Sequence, residues 1–485
     1  MKRISVEKPQ KQKLVLVGNG MSGFKFCEKF LKYGVGRRYD LVVFGEEHHP
    51  AYDRVNLTRY FADPSAENLY LAPSSWYSGK NIRLQTNEKV TEINRSEKWI
   101  RTSKGTVEKY DKLILATGSK PFIPPIKGID LKGVFVYRSL DDLDAIRIQI
   151  KKSKKAVVIG GGILGLEAAK AMRDEGLEVT VIEKNLTIMN RQLDAIGAEI
   201  LKKKIESTGI LIIVNQAIES ISGIENVESI KLPDGTELQV DMVLIISGIR
   251  PMDELAKLSG IEVAPTGGIL VNNFGLTSDE NIYAIGECVN SFGRNWGLAL
   301  PCFEMAEVLA ARLGGIFKAF SGEELFTQLK FPGVKMVCFG DVLCINKQAQ
   351  PITFFDKEAG IYKLINISTD GKYLLGGILI SDASDFSVLL QMTRNKTVLD
   401  GNPEKLIDGS LSKSAVSILD WPDETKICLC EGISKGTILS AIRQHKIMRI
   451  DELKMHTGAG TGCESCTSVL EEILEAVNQE NSLKK

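Results

Sequence analysis

Residues 155–184 read KAVVIGGGILGLEAAKAMRDEGLEVTVIEK. The apolar run AVVI predicts a buried strand, and LGLEAAKAM predicts a helix directly after it. Between them Gly160, Gly162 and Gly165 form G-x-G-x-x-G. The first glycine makes a tight turn, the second lets backbone approach a pyrophosphate, and the third lets helix pack on strand. The next apolar strand, EVTVI, ends in Glu183, roughly twenty residues on, where an acidic residue accepts the ribose hydroxyls of NAD and repels a 2′-phosphate. NADH is therefore the expected nucleotide, with NADPH as the alternative because Lys184 and Arg191 lie close by in sequence.

The same design stands upstream. In residues 13–30, KLVLVGNGMSGFKFCEKF, the strand Leu14 to Val17 runs into Gly18, Gly20 and Gly23 and then a helix. The first N–H groups of such a helix, with a dipole of roughly half a charge, bind phosphates. DLVVFGEE, residues 40–47, is the second strand. Its first following carboxylate, Glu46, is the candidate for an adenosine ribose, while Glu47 reads as a solvated loop acid. LILATGSKPFIPP ends a strand at Ala116, Thr117 and Gly118, and NIYAIGECV ends another at Gly286 and Glu287. In flavoproteins with two dinucleotide sites such strands return the chain to FAD, and the position of Glu287 meets its ribityl chain. A lone glycine motif is weak, but two complete units in one chain point to hydride transfer between nicotinamide and flavin.

The nine cysteines say where electrons go next. No cysteine pair lies near either glycine motif, so Cys27, Cys288, Cys302, Cys338 and Cys344 read as packed thiols. The other four cluster as Cys428-x-Cys430 and Cys463-x-x-Cys466, which in a reducing compartment reads as a metal-ligand set. Four thiolates suit iron–sulfur or zinc. The C-x-C half departs from the usual zinc spacing, and a flavin upstream gives a 2Fe–2S cluster a purpose. The GAGTG run before Cys463 lets backbone N–H groups reach cluster sulfurs. No histidine set has ligand spacing, so His48, His49, His445 and His456 read as surface residues.

Sixty-one basic and sixty-one acidic residues give no net charge, hence no electrostatic case for nucleic acid or an anionic membrane. No apolar run reaches the ~20 residues of a spanning helix, and the polar start lacks a signal-peptide core, so the expected location is cytoplasmic. The expected fold class is α/β with two Rossmann-type domains. An FAD domain (13–135 and 268–322) holds an inserted NAD(P) domain (140–265). An α+β interface domain (323–400), a polar linker (401–424) and a small helical 2Fe–2S domain (425–480) follow. Trp296 is assigned either to the flavin's surroundings or to core packing.

Over nearly its whole length the chain resembles the N-terminal half of the large subunit of NAD(P)H-dependent nitrite reductases. It equally resembles the electron-transfer subunit of assimilatory nitrate reductases. The stretches that carry the likeness are FGEEHHPAYDRVNL, ATGSKPFIPPIKGID, VYRSLDDLDAI, GGGILGLEAAKAM, RQLDA, GIRPMDELAK and AIGECV. The tail resembles the bacterioferritin-associated-ferredoxin type of 2Fe–2S domain. The resemblance implies FAD contacts at Gly18, Gly20, Gly23, Glu46, Arg54, Thr117, Gly118 and Glu287, and NAD(P) contacts at Gly160, Gly162, Gly165 and Glu183. It implies cluster ligands at Cys428, Cys430, Cys463 and Cys466, and a homodimer built on the interface domain. Arg59 stands where relatives of this type often carry lysine. Full nitrite reductase subunits continue with a sirohaem and 4Fe–4S domain, for which these 485 residues hold no further four-cysteine set. Electrons are thus expected to pass from NADH through FAD and the cluster to a redox partner protein, a nitrate or nitrite reductase catalytic subunit, with no side-chain acid or base required. The rival readings are an NADH oxidase or diaphorase with a regulatory tail, and a zinc-stabilised docking tail.

Overall fold

The computed structural model describes residues 11–322, 326–343, 349–399, 401–408, 418–428, 431–461 and 466–483. Two compact units emerge. The first joins residues 1–125, 132–153 and 244–323; the second joins 126–131, 154–243 and 324–485.

The first unit is built on five parallel strands in the order Ile282–Ala284, Lys112–Leu115, Gln12–Val17, Tyr39–Phe44 and Arg83–Gln85. The central strand is buried on both faces, as its continuous Leu14–Val15–Leu16–Val17 run requires. The helix Met21–Lys32 follows it and buries Phe24, Phe26, Cys27 and Phe30 against the sheet. Each such side chain, fully withdrawn from water, contributes roughly 1.5–3 kcal/mol. Strand Ile282–Ala284 reaches its place beside Lys112–Leu115 only after the chain has left and returned, so a sequence-distant segment completes this sheet. The helix Leu140–Ile150 also belongs here, held by the Tyr60 hydroxyl donating to Asp144 Oδ1 at 2.8 Å. The unit boundaries thus differ from an insertion running 140–265, because motif spacing does not report which unit a connecting helix packs on. Trp296 is core: it is 1% exposed, donates through Nε1 to Ser291 Oγ at 2.8 Å and packs edge-on against Phe320.

In the second unit the strands Lys155–Ile159, Glu178–Ile182 and Ile210–Ile213 are parallel neighbours. An antiparallel sheet follows, in the order Phe326–Phe331, Val334–Gly340, Leu374–Ile380, Ile361–Ser368 and Ala349–Asp356. Helix Phe386–Asn395 covers it through Phe386, Leu389 and Leu390. Leu406 and Ile407 are buried in that same core, so the segment read as linker from 401 starts as part of the α+β domain. Beyond it, helices Lys435–His445, Ile450–Thr457 and Thr467–Leu483 bury Ile438, Ile442, Leu453, Leu470 and Ile473 together. Among the described residues no helix is long and apolar enough to cross a membrane.

One buried acid in this unit gives a measurable signature. Glu167, on the helix Ile163–Asp174, is 6% exposed and accepts from the Lys330 backbone N–H at 2.7 Å. Burial pushes its carboxyl up to about 7, against the Lys330 hydrogen bond and charge, which lower it. The folded protein then holds a proton that the unfolded chain releases near its ordinary value of 4.5. Stability is fully present below the unfolded value, falls as pH rises from there to about 7, and then levels off. Glu167→Gln keeps the acceptor and removes the ionisation. The expected result is a higher Tm at pH 8 than the parent and a shallower pH slope in that window, read by thermal unfolding between pH 5 and 8.

Candidate functional site

The two glycine motifs fold identically. Gly18 and Gly160 adopt φ of +116° and +121°, a conformation that side chains disfavour. A Cβ on Gly18 would lie 2.1 Å from the Ala116 carbonyl oxygen, and one on Gly23 would lie 2.2 Å from the Gly18 carbonyl oxygen. Gly165 repeats the second contact, at 2.0 Å from the Gly160 carbonyl oxygen. The middle glycines are different: a Cβ on Gly20 or Gly162 meets nothing within 4 Å. Each middle glycine is the N-cap of its helix, with no side chain capping the first turn. Both turns therefore leave an open cradle of helix N-terminal N–H groups, which suits a pyrophosphate. In the first cradle Asn19 accepts from the Tyr77 hydroxyl at 2.9 Å, while its Nδ2 is buried with no partner. A buried orphan donor of this kind fits a bound ligand.

Around the first cradle the fold gathers a charged network. Arg138 pairs with Glu287 at 2.6 Å, and the Ser119 hydroxyl donates to the same carboxylate at 2.7 Å. Gly286 has φ +84°, and a Cβ there would strike the Ser22 hydroxyl at 2.6 Å, so Glu287 is carried close to the helix Met21–Lys32. Thr117 is spent on structure, donating to the Met252 carbonyl at 2.6 Å, and Gly118 sits at φ +71°. Arg54 pairs with Glu47, donates to the Arg138 carbonyl at 2.8 Å and lies 4.5 Å over the Tyr52 ring.

The two acids after the second strand sit in different surroundings. Glu46 is half exposed and forms a 3.2 Å surface pair with Lys89. Glu47 accepts from the Tyr52 hydroxyl at 2.6 Å. Burial raises its carboxyl, but Arg54 and these hydrogen bonds outweigh that and hold it below the ordinary carboxylate range. Glu47 is thus no solvated loop acid; the partner that sets it apart, Arg54, comes seven residues later.

In the second site Glu183 is buried beside its glycine turn. Its Oε2 accepts from the Gly161 N–H at 2.7 Å, and its Oε1 from the Asn185 N–H at 2.8 Å and the Asn185 side-chain amide at 2.5 Å. Lys184 and Arg191 point to solvent as exposed residues.

Of the four clustered cysteines, Cys430 and Cys463 lie outside the described residues. Cys428 ends the short strand Lys426–Cys428 and is fully buried. Cys466 is 4% exposed, just before the helix Thr467–Leu483, and lines a small cleft with Phe326, Phe386, Leu390 and Ile427. The Gln391 side chain donates to the Lys426 carbonyl at 3.2 Å, fixing the cysteine strand to the α+β domain. Two sequestered thiols at element ends, with two more two and three residues away in sequence, fit a four-thiolate cluster. Cys27, Cys288, Cys302 and Cys338 are buried, and burial pushes the first three thiols upward, away from reactivity; Cys344 lies outside the described residues.

Sequence reasoning missed Arg138, Ser119, Asn19 and Tyr52. Only Asn19 had a local signal, since it stands inside the G-x-G turn. It also read the histidines as unconnected, whereas the fold brings His48, His49 and Asp141 together and stacks His445 on His456 at 4.2 Å.

Residues 8–306 match the family model for pyridine nucleotide-disulphide oxidoreductases, and residues 426–476 match the BFD-like 2Fe-2S binding domain. The first match implies binding of FAD and NAD(P)H, the second a 2Fe–2S cluster. The NADH nitrite reductase large subunit of Escherichia coli (strain K12) is 41% identical over 472 residues, 96% of this chain and 56% of that protein. The assimilatory nitrate reductase electron transfer subunit of Bacillus subtilis (strain 168) is 34% identical over 467 residues, 96% of this chain and 60% of that one. The chain therefore spans little more than half the length of these relatives. A ferredoxin reductase from Rhodopseudomonas palustris superposes with a TM-score of 0.76 at 24% identity, covering 84% of this chain and all of that one, and so shares the fold.

Proposed function

The chain belongs to the pyridine nucleotide-disulphide oxidoreductase family, and on that premise we propose that it carries electrons from NADH to a partner reductase of nitrate or nitrite assimilation in the cytoplasm. The observation that carries the reading is the pair of matching open cradles in one chain that ends in a four-cysteine domain. Bound there, nicotinamide and flavin supply hydride transfer and the 2Fe–2S cluster supplies single-electron transfer.

The chain's own residues hold and orient. Gly18 and Gly23 close the first turn, and Gly20 leaves its N–H groups free for the flavin pyrophosphate. Glu287, fixed by Arg138 and Ser119, is placed to accept from ribityl hydroxyls. Glu46 takes the adenosine ribose, and Arg54 pairs with the neighbouring Glu47. Gly160, Gly162, Gly165 and Glu183 do the corresponding work for the nicotinamide nucleotide. Cys428, Cys430, Cys463 and Cys466 hold the cluster. No acid or base need move a proton at a substrate atom.

The carboxylate of Glu183 sets nucleotide choice, because a 2′-phosphate would face a buried negative charge. Glu183→Ala is expected to lower the NADH over NADPH preference in kcat/KM by about tenfold or more, which is about 1.4 kcal/mol. Steady-state diaphorase assays with ferricyanide check it; an unchanged ratio removes Glu183 from the nucleotide site. The wider reading is tested by NADH-driven reduction of a purified nitrate- or nitrite-reducing catalytic subunit. Turnover only with oxygen, at rates insensitive to the cluster, would favour an NADH oxidase.

A further inference from the structure

Outside the nucleotide sites, the described residues of the first unit hold one cluster of metal-ligating side chains. His48, His49 and Asp141 offer ligand atoms that all lie within 4.8 Å of one another. His48 Nδ1 stands 3.9 Å from Asp141 Oδ1, and the two imidazoles are 3.8 Å apart between ring centres. Around an ion with bonds near 2.0–2.2 Å, tetrahedral ligand atoms sit roughly 3.3–3.6 Å from each other. Side chains exposed by 57% and 64%, as His48 and Asp141 are, close that gap by rotation. The alternative for each residue alone is ordinary: Asp141 is a first-turn acid on Leu140–Ile150, favoured by the helix dipole. That does not account for the two imidazoles that bring their ligand atoms within 4.8 Å of it.

His49 is oriented in advance. Its Nδ1 shares a 2.8 Å hydrogen bond with the Tyr70 hydroxyl, which leaves Nε2 as the ligand atom, the arrangement in which metal-binding histidines are held.

We propose that His48, His49 and Asp141 bind a divalent transition-metal ion, with zinc as the type. Two imidazoles and a carboxylate suit zinc, nickel or copper rather than calcium or magnesium. The ion would tie two pieces that frame the first cradle. His48 and His49 follow Glu47 directly and precede Arg54; Asp141 comes three residues after Arg138. Arg54 already donates to the Arg138 carbonyl, so a bound ion adds a second tie between the same two segments. This consequence rests on the flavin-site reading; the ion binding itself does not.

The test is calorimetric titration of Zn2+ into the full chain with flavin and cluster in place, so that the cluster cysteines are already occupied. One ion is expected to bind the parent. His48→Ala, His49→Ala and Asp141→Asn should each weaken it by about tenfold or more, while the double variant His445→Ala/His456→Ala leaves it unchanged. Binding by His48→Ala and Asp141→Asn as tight as by the parent, or no binding to the parent, overturns the site. Both are surface substitutions, and the flavin spectrum confirms folding. Saturating Zn2+ should also raise the temperature of flavin release, followed by fluorescence, in the parent and not in His48→Ala. No rise in a parent that binds the ion overturns the tie and leaves the flavin-site reading standing.

Discussion

Cys428→Ser and Cys463→Ser chains are expected to lose delivery of electrons to a protein acceptor by on the order of a hundredfold or more, while NADH still bleaches their flavin at about the parent rate. The magnitude follows from ligand chemistry: loss of an outer-shell partner alone costs ~10–100-fold, so loss of a thiolate ligand costs at least as much. The separation of the two effects follows from the fold. Cys428 sits in a small domain with its own core, formed by Ile438, Ile442, Leu453 and Leu470, in the second unit. The first cradle, with Gly18, Gly20 and Gly23, lies wholly in the first unit. The variants therefore split the two half-reactions cleanly. Stopped-flow bleaching at the flavin band reads the first, and reduction of the acceptor protein reads the second. Equal delivery by variant and parent, with iron absent from the variant, would remove the cluster from the route.

Gly20→Ala and Gly18→Ala are expected to fail in opposite ways. At Gly20 an added methyl meets no protein atom, so the apoprotein should fold with nearly parental stability. The methyl instead occupies the space before the helix N–H groups, and flavin affinity should fall by about tenfold or more, since even one blocked phosphate hydrogen bond of ~1.5–3 kcal/mol has that effect. At Gly18 the methyl is driven to 2.1 Å from the Ala116 carbonyl oxygen at a φ of +116°, so the turn itself must shift. A strained φ alone costs ~1–3 kcal/mol, and the clash adds to it. That variant should therefore lose stability as well as flavin. Apoprotein thermal unfolding and flavin titration separate the cases. A Gly20→Ala chain that binds flavin as the parent does would show that the open space is not the pyrophosphate seat.

The features legible in the sequence were those with short-range signatures. The Ala156–Ile159 strand, its glycine turn and Glu183 follow one another within thirty residues, as the Leu14–Val17 strand and its glycine turn do upstream, and chain geometry leaves them little alternative. The paired thiols of the C-terminal domain are of the same kind. What stayed hidden depends on segments far apart in sequence. Arg138 acquires meaning only when Glu287 returns to it across 149 residues, and Asp141 meets His48 and His49 only because its helix packs in the first unit. The surroundings of Glu47 stayed hidden for a related reason. Neighbouring acids after a strand look alike until burial and a cation choose between them, and here Arg54 chooses Glu47. Where the linker starts is hard to read because composition sees the polar residues of 401–408, whereas Leu406 and Ile407 pack into the α+β core.

The central claim is that reducing power entering at the nicotinamide site reaches the four-cysteine domain. Anaerobic titration of the full, metal-replete chain with NADH, followed by visible absorption and electron paramagnetic resonance, tests it most directly. The expected result is bleaching of the flavin together with a reduced 2Fe–2S signal, lost in Cys428→Ser. Flavin bleaching with no paramagnetic iron signal in protein that contains iron and sulfide would contradict the claim and leave a flavin oxidase or diaphorase with a structural tail.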